Sequence, residues 1–170
     1  PGIRIGLAQG NIEQHLKWNK LHQQATMNFY KELTLKAAKE KPELIVWPEA
    51  ATPFYYSLDP IGTKYVQDLA RTAGVPLLFG SPYKEKVDGK SLDFNRAFLV
   101  SSQGKTIDVY DKIHLVPFGE FVPFRKALFF VEKMVEIIGD FGWGKRATVF
   151  DLNGSRLGVS ICYEIIFPDL

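Results

Sequence analysis

Three residues in this sequence each close an apolar run, and their side chains are the parts of an acyl-transfer site. Cys162, the one cysteine in 170 residues, follows Leu157-Gly-Val-Ser-Ile161 and leads into Tyr163-Glu164. Glu49 closes Leu44-Ile-Val-Trp-Pro-Glu49, and Lys112 follows the β-rich run Lys105-Thr-Ile-Asp-Val-Tyr-Asp-Lys112. A free cysteine has a pKa near 8.5, so little thiolate exists at neutral pH unless a base, a cation or a helix N-terminus lies beside it. Glu49 could take the thiol proton and return it to a leaving group. Lys112 could stabilise the oxyanion of a tetrahedral intermediate, and a helix beginning beyond Tyr163 would add its dipole.

Each residue also has an ordinary reading. A lone cysteine on an apolar strand is a small buried hydrophobe. Glu49 is a strand-end carboxylate or an N-cap, since Pro48-Glu-Ala-Ala51 reads as a helix start. Lys112 alone is a solvated charge. No spacing rule links positions 49, 112 and 162, so the elements that carry them decide.

Those elements alternate. Residues 3–9 read as a short buried strand. Residues 20–39 read as an amphipathic helix with Leu21, Ala25, Phe29, Leu33 and Ala37 as its apolar stripe, ended by Lys41-Pro42. Residues 43–47 form a second strand. Pro60 to Ala73 form a second helix, with Asp59 as N-cap, Pro60 in the first turn and Gly74 as the stop. Residues 75–80 form a third strand. Two hairpins follow: 95–100 with 105–110 around Ser-Ser-Gln-Gly, and 147–152 with 156–161 around Asn153-Gly154. This order predicts one α/β domain over 1–170 with parallel and antiparallel strands in mixed sheets. The chain ends eight residues after Cys162, so it is expected to be one part of a longer protein.

Composition narrows the partners. With 21 Lys plus Arg against 19 Asp plus Glu, the net charge of +2 gives no support to nucleic-acid binding. One cysteine excludes an internal disulfide and a Cys-rich zinc site. His15, His22 and His114 are scattered, with His114 read as a loop residue supporting the Lys112 segment. No stretch reaches the roughly 20 apolar residues needed to cross a bilayer. Pro1-Gly-Ile-Arg4 leads straight into a strand pattern, so no leader peptide is expected. Such a chain is expected to be soluble, and is equally compatible with a piece of a membrane protein.

The segment around Lys112, Tyr110-Asp-Lys-Ile-His-Leu-Val-Pro-Phe-Gly-Glu-Phe-Val-Pro123, is more specific. With Trp47-Pro-Glu49 and Cys162-Tyr-Glu164 it resembles the nitrilase (carbon–nitrogen hydrolase) superfamily. Within that superfamily it is most similar to the periplasmic domain of the bacterial apolipoprotein N-acyltransferases. The resemblance implies an α-β-β-α sandwich, incomplete at the C-terminus. It implies Glu49 as general base, Lys112 as oxyanion stabiliser and Cys162 as nucleophile. It further implies Glu120 as a second supporting glutamate, Tyr163 and Glu164 as site residues beside the nucleophile, and Trp18 as an active-site tryptophan.

The implied chemistry moves an acyl chain from a phospholipid donor to Cys162, then to the α-amine of an apolipoprotein's N-terminal diacylglyceryl-cysteine. It needs no metal or organic cofactor. The implied setting is the bacterial inner membrane, with the domain on its periplasmic face. Residues 117–145 support a lipid substrate independently. Ala127, Phe130, Val131, Met134 and Ile138 recur at helical spacing, Leu128, Phe129, Val135 and Ile137 widen the stripe, and Gly139, Gly142 and Gly144 would give mobility. Such a segment could act as a lid or lie in an acyl-chain region, or pack on the rest of a longer domain. Two rivals stand beside this reading: a soluble amidase with the same three residues, and a non-catalytic binding or assembly module.

Overall fold

The computed structural model describes residues 2–12, 20–117, 119–120 and 141–170. Among the described residues the order is β1 (Ile5–Leu7), α1 (Lys20–Ala38), β2 (Leu44–Val46), α2 (Pro60–Ala73), β3 (Leu77–Val87), β4 (Lys90–Val100), β5 (Thr106–Asp111), β6 (Val149–Leu152) and β7 (Ser155–Gly158). A five-residue 3₁₀ turn, Cys162–Ile166, comes last. The first five strands form one sheet in the order β1-β2-β3-β4-β5. β1, β2 and β3 run parallel, and β4 and β5 return antiparallel. β6 and β7 form a separate ribbon. The architecture is the mixed α/β arrangement that the alternation predicts.

The sheet buries different residues on its two faces because successive side chains of a strand point oppositely. Ile45, Leu77, Phe79, Phe98 and Val100 face the helices and meet Met27, Tyr30, Val66, Leu69 and Ala70. Leu44, Ala97, Leu99 and Tyr110 face the other way and pack on Phe150, Leu152 and Ile161. The sheet therefore lies between a helical layer and the β6–β7 ribbon, and Cys162 immediately follows the ribbon's side of the core.

Local chemistry sets α2 cleanly. Asp59 Oδ1 accepts from the Ile61 and Gly62 amides at 2.9 and 3.0 Å, a cap worth about 1 kcal/mol. Gly74 stops the helix in the left-handed region at φ 65°.

Several expectations need correction. The buried side of α1 is Thr26, Met27, Tyr30 and Thr34, while Leu21 is 88% exposed. Trp47 decides this: its indole stacks on Tyr30 at 4.8 Å and donates to Thr34 Oγ1 at 2.9 Å. That satisfied hydrogen bond makes a threonine acceptable in the core. β1 is shorter than 3–9, and Ile5 and Leu7 are exposed rather than buried. β3 and β4 make one long hairpin paired from Leu77–Val100 to Val87–Lys90, where a third strand ending at residue 80 is expected. Asp88-Gly89, both at positive φ, forms its tip. No helix starts at Pro48-Glu-Ala-Ala51; Ala50 turns the chain at φ 46° instead.

Candidate active site

Lys112 leaves β5 with its backbone fixed on two sides. Its amide donates to the Asn95 carbonyl at 2.9 Å, and its own carbonyl accepts from Gly144 N at 2.8 Å. Just before it, Asp111 takes a bidentate hydrogen bond from Arg96 at 2.6 and 2.8 Å. The lysine side chain is only 1% exposed, so it is not a solvated surface charge. An ammonium so buried requires partners. Glu120 supplies them: both its carboxylate oxygens lie 2.9 Å from Nζ. Glu120 Oε2 also accepts from Val116 N at 2.9 Å, which ties the loop to its own carboxylate.

Glu49 sits where the chain leaves β2 and runs on beside β3. Trp47 N donates to the Leu78 carbonyl at 2.9 Å, and Ala51 N donates to the Gly80 carbonyl at 2.8 Å. Gly80 permits this closeness. A Cβ there would lie 2.6 Å from Ala50 N and 2.7 Å from Glu49 Cα. Glu49 Oε1 comes 3.7 Å from Lys112 Nζ. Asn95 Nδ2 donates to that same oxygen at 2.5 Å and to Glu120 Oε1 at 3.1 Å.

Cys162 is exposed and has φ 55°, a left-handed conformation that few non-glycine residues adopt. β7 ends at Gly158, so the cysteine follows a short irregular stretch, and the 3₁₀ turn starts at Cys162 itself rather than beyond Tyr163. Glu164 holds this turn. It is 1% exposed. Its Oε2 accepts from Ile161 N at 2.7 Å, closing the turn around the cysteine. Its Oε1 accepts from Ile113 N at 2.7 Å, His114 N at 3.0 Å and Tyr110 Oη at 2.8 Å. One buried carboxylate thus joins the cysteine turn to the strand and loop that carry Lys112. Burial, reinforced by the hydrogen bond to Glu164, pushes the Tyr110 phenol well above its usual range.

Glu49 and Cys162 line one cavity of about 380 Å³, together with Trp47, Gly80, Ala97 and residues 158–161. Tyr163 is exposed and packs edge-on against Phe167, which stacks on His114 at 4.1 Å. His114 thus buttresses the Lys112 segment. Trp18, Phe118 and residues 121–140, the bulk of the lid segment, lie outside the described residues. Gly142 and Gly144 do not serve mobility: a Cβ would strike the Phe94 ring at 2.3 Å or the Asp111 carbonyl at 2.1 Å.

A carbon–nitrogen hydrolase family model matches residues 4–170. The chain belongs to the carbon–nitrogen hydrolase family. Among relatives, it is 44% identical over 170 residues to an apolipoprotein N-acyltransferase of Geobacter metallireducens, a match covering 99% of this chain and 32% of that protein. Proteins of the same name from Aquifex aeolicus and Pseudomonas aeruginosa are 33% and 32% identical, each over 98% of the chain and 37% or 32% of their own length. The chain thus spans about a third of the curated relatives it matches. Among solved structures it resembles the NitN amidase from Nesterenkonia sp. AN1, with TM-score 0.66 and 19% identity over 99% of this chain and 60% of that one. A cysteine-to-alanine variant of a Nesterenkonia AN1 amidase of the nitrilase superfamily superposes with TM-score 0.69 at 18% identity, over 98% and 58%. At that identity the likeness concerns the fold.

For this carbon–nitrogen hydrolase family member, the geometry gathers Glu49, Lys112 and Glu120 into one charged cluster, and Glu49 shares a cavity with Cys162. Glu164 is a fastener buried behind the turn. Asn95 and Gly80 escape the sequence reading. The signal for Asn95 was a polar residue on the same strand face as Ala97 and Leu99, where an apolar one is expected.

Proposed function

We propose that this chain is the acyl-transferring domain of an N-acyltransferase, using Cys162 as nucleophile, Glu49 as general base and Lys112 as oxyanion stabiliser. The observation that carries the chemistry is the placement of Glu49: one oxygen lies 3.7 Å from a buried ammonium, and the residue lines the cavity that Cys162 also lines. The identity to apolipoprotein N-acyltransferases over nearly the whole chain supports the substrate class.

In the first half-reaction Glu49 takes the proton of Cys162, and Sγ attacks the ester carbonyl of a phospholipid. A C–S bond forms, and the oxyanion is stabilised by the Lys112 ammonium. Collapse breaks the ester C–O bond. The lysophospholipid oxygen leaves with the proton from Glu49, and the acyl chain stays as a thioester. In the second half the α-amine of a diacylglyceryl-cysteine attacks that thioester. A C–N bond forms, the amine proton passes to Glu49, and the C–S bond breaks to return the thiol. Glu120, with both oxygens 2.9 Å from Nζ, holds Lys112 in place through both halves. The setting proposed is the periplasmic face of a bacterial inner membrane, with residues 117–145 meeting lipid.

The test is acyl capture. Full-length protein is incubated with phospholipid vesicles, and the Cys162 peptide is weighed before and after hydroxylamine. A hydroxylamine-labile acyl mass on Cys162, absent from a Cys162→Ala variant with an unchanged melting curve, is expected. No acyl mass on the wild type, with ammonia released from short amides, would transfer the reading to an amidase.

A further inference from the structure

We infer that Asn95 is a positioning residue: its carboxamide nitrogen, bridging Glu49 and Glu120, holds the base clear of the Lys112 ammonium with one oxygen that none of the described residues hydrogen-bonds. This rests on the proposal that Glu49 takes the proton of Cys162.

The geometry starts from the backbone. Asn95 lies on β4 opposite Pro82 of β3, and its carbonyl accepts the Lys112 amide. One residue therefore touches the lysine through its backbone and both glutamates through its side chain. Carboxylates only accept when ionised, so both require donors. A single NH₂ group offers two hydrogens from one nitrogen, and the two carboxylates take one each, at 2.5 and 3.1 Å. The opposite amide orientation would aim Oδ1 at two anions and is excluded by the partners themselves.

The consequence is a division of labour. Glu120 takes the lysine with both oxygens. Glu49 stays 3.7 Å from it, anchored through Oε1 by a neutral donor. Among the described residues no hydrogen bond reaches Glu49 Oε2. A base locked directly onto an ammonium is held in its charged form and takes a proton less readily. A base with no donor at all, beside a second carboxylate, would be protonated too early. The amide bridge gives Glu49 a neutral donor and leaves it 3.7 Å from the ammonium.

The other charges facing the cluster come from three elements. Lys84 on β3 pairs with Asp93 on β4 at 3.4 Å, two residues from Asn95 on the same face, with Tyr55 beside them. Cys162 comes from the 3₁₀ turn. Arg96 points to the opposite face, onto the Tyr83 ring.

The experiment reads Cys162 without any acyl donor. In full-length protein, the rate of iodoacetamide alkylation at Cys162 is followed by peptide mass spectrometry from pH 5 to 9. Asn95→Ala removes the donor, and Asn95→Asp also adds a third carboxylate. The acid limb of the rate profile is expected to move up in the order wild type, Ala, Asp, with Asp shifted by about one pH unit or more. In a Glu49→Gln background the shift is expected to vanish. A limb that stays put in both variants, or moves equally without Glu49, overturns the inference. Should Asn95→Asp fail to melt cooperatively, Asn95→Ala carries the test because it adds no charge. Lipid never enters this assay. Failed acyl capture on vesicles therefore sinks the proposed function alone, while an unmoved limb sinks the role of Asn95 alone.

Discussion

Replacing Glu164 by alanine should loosen the cysteine turn from the strand and loop that carry Lys112. In the native chain the carboxylate accepts from the Ile113, His114 and Ile161 amides and from the Tyr110 hydroxyl, at 2.7–3.0 Å. Alanine strands all four donors in a site where the parent side chain is 1% exposed. A buried donor left unpaired costs about 1–3 kcal/mol. The four are not independent, and water can enter beside the exposed cysteine, so the net loss expected is about 3–5 kcal/mol. That is a large part of the usual 5–15 kcal/mol of a domain. Glu164→Gln keeps the shape but turns an NH₂ toward at least one native donor, and should lose about 2 kcal/mol. Tyr110→Phe removes one donor and leaves the carboxylate its three amides, for about 1 kcal/mol. Urea unfolding followed by tryptophan fluorescence gives the energies. Amide hydrogen exchange at Ile113, His114 and Ile161 gives the location, since all three should exchange faster in Glu164→Gln. An alanine variant within about 0.5 kcal/mol of wild type, with those amides still protected, would refute the fastening argument.

Two further outcomes are expected. Gly80→Ala would press a methyl group onto Ala50 N at 2.6 Å and Glu49 Cα at 2.7 Å; it should destabilise by about 1–3 kcal/mol and slow Cys162 alkylation at least as much as Glu49→Gln does. A variant that alkylates normally would show that the effect of Glu49 on the thiol does not depend on that close approach. At alkaline pH, Tyr30 is pushed up to about 12 by burial, and Tyr110 is raised by burial and by Glu164. The unfolded chain releases these protons near pH 10, so above that pH it binds fewer protons than the folded chain. Stability should then fall with rising pH, by at most about 1.4 kcal/mol per unit for each tyrosine, and be unaffected by them below pH 9. Urea midpoints at pH 9, 10 and 11 check this. A flat series contradicts it, and Tyr30→Phe should shrink the slope.

What the sequence disclosed was local. Asp59, Pro60 and Gly74 act within one turn of the helix they bound, so α2 was readable to the residue. The buried face of α1 was not, because it depends on Trp47 arriving from β2 to stack on Tyr30 and donate to Thr34. The outer half of the β3–β4 hairpin was missed although Asp88-Gly89 is a two-residue turn signal. Its charged run, Lys84-Glu-Lys86, masks the strand pattern. At the site, Glu49, Lys112 and Cys162 stood out through their surrounding motifs. Asn95 left only one local sign, a polar side chain on the strand face of Ala97 and Leu99, because its two contacts span 46 and 25 residues of chain.

The loop after Lys112 explains why two glutamates, Glu164 and Glu120, are needed. Beyond Asp111 the chain leaves the β5 ladder, so the amides of Ile113, His114 and Val116 have no strand to pair with. Buried amides require acceptors. Glu164 takes the first two and Glu120 takes the third. Bonds to an ionised acceptor are stronger than amide–carbonyl pairs, so the loop is held without regular structure. The two acceptors differ in what else they grip. Glu120 also holds the ammonium of Lys112, and Glu164 also holds the turn of Cys162. Each carboxylate therefore fastens the same loop to one of the two residues, and the lysine–cysteine separation is fixed through that shared loop. Changing either glutamate should disturb Lys112 and Cys162 at once, whereas changing Asn95 takes a donor from Glu49 and from Glu120 and leaves the carboxylate bonds to the loop amides in place.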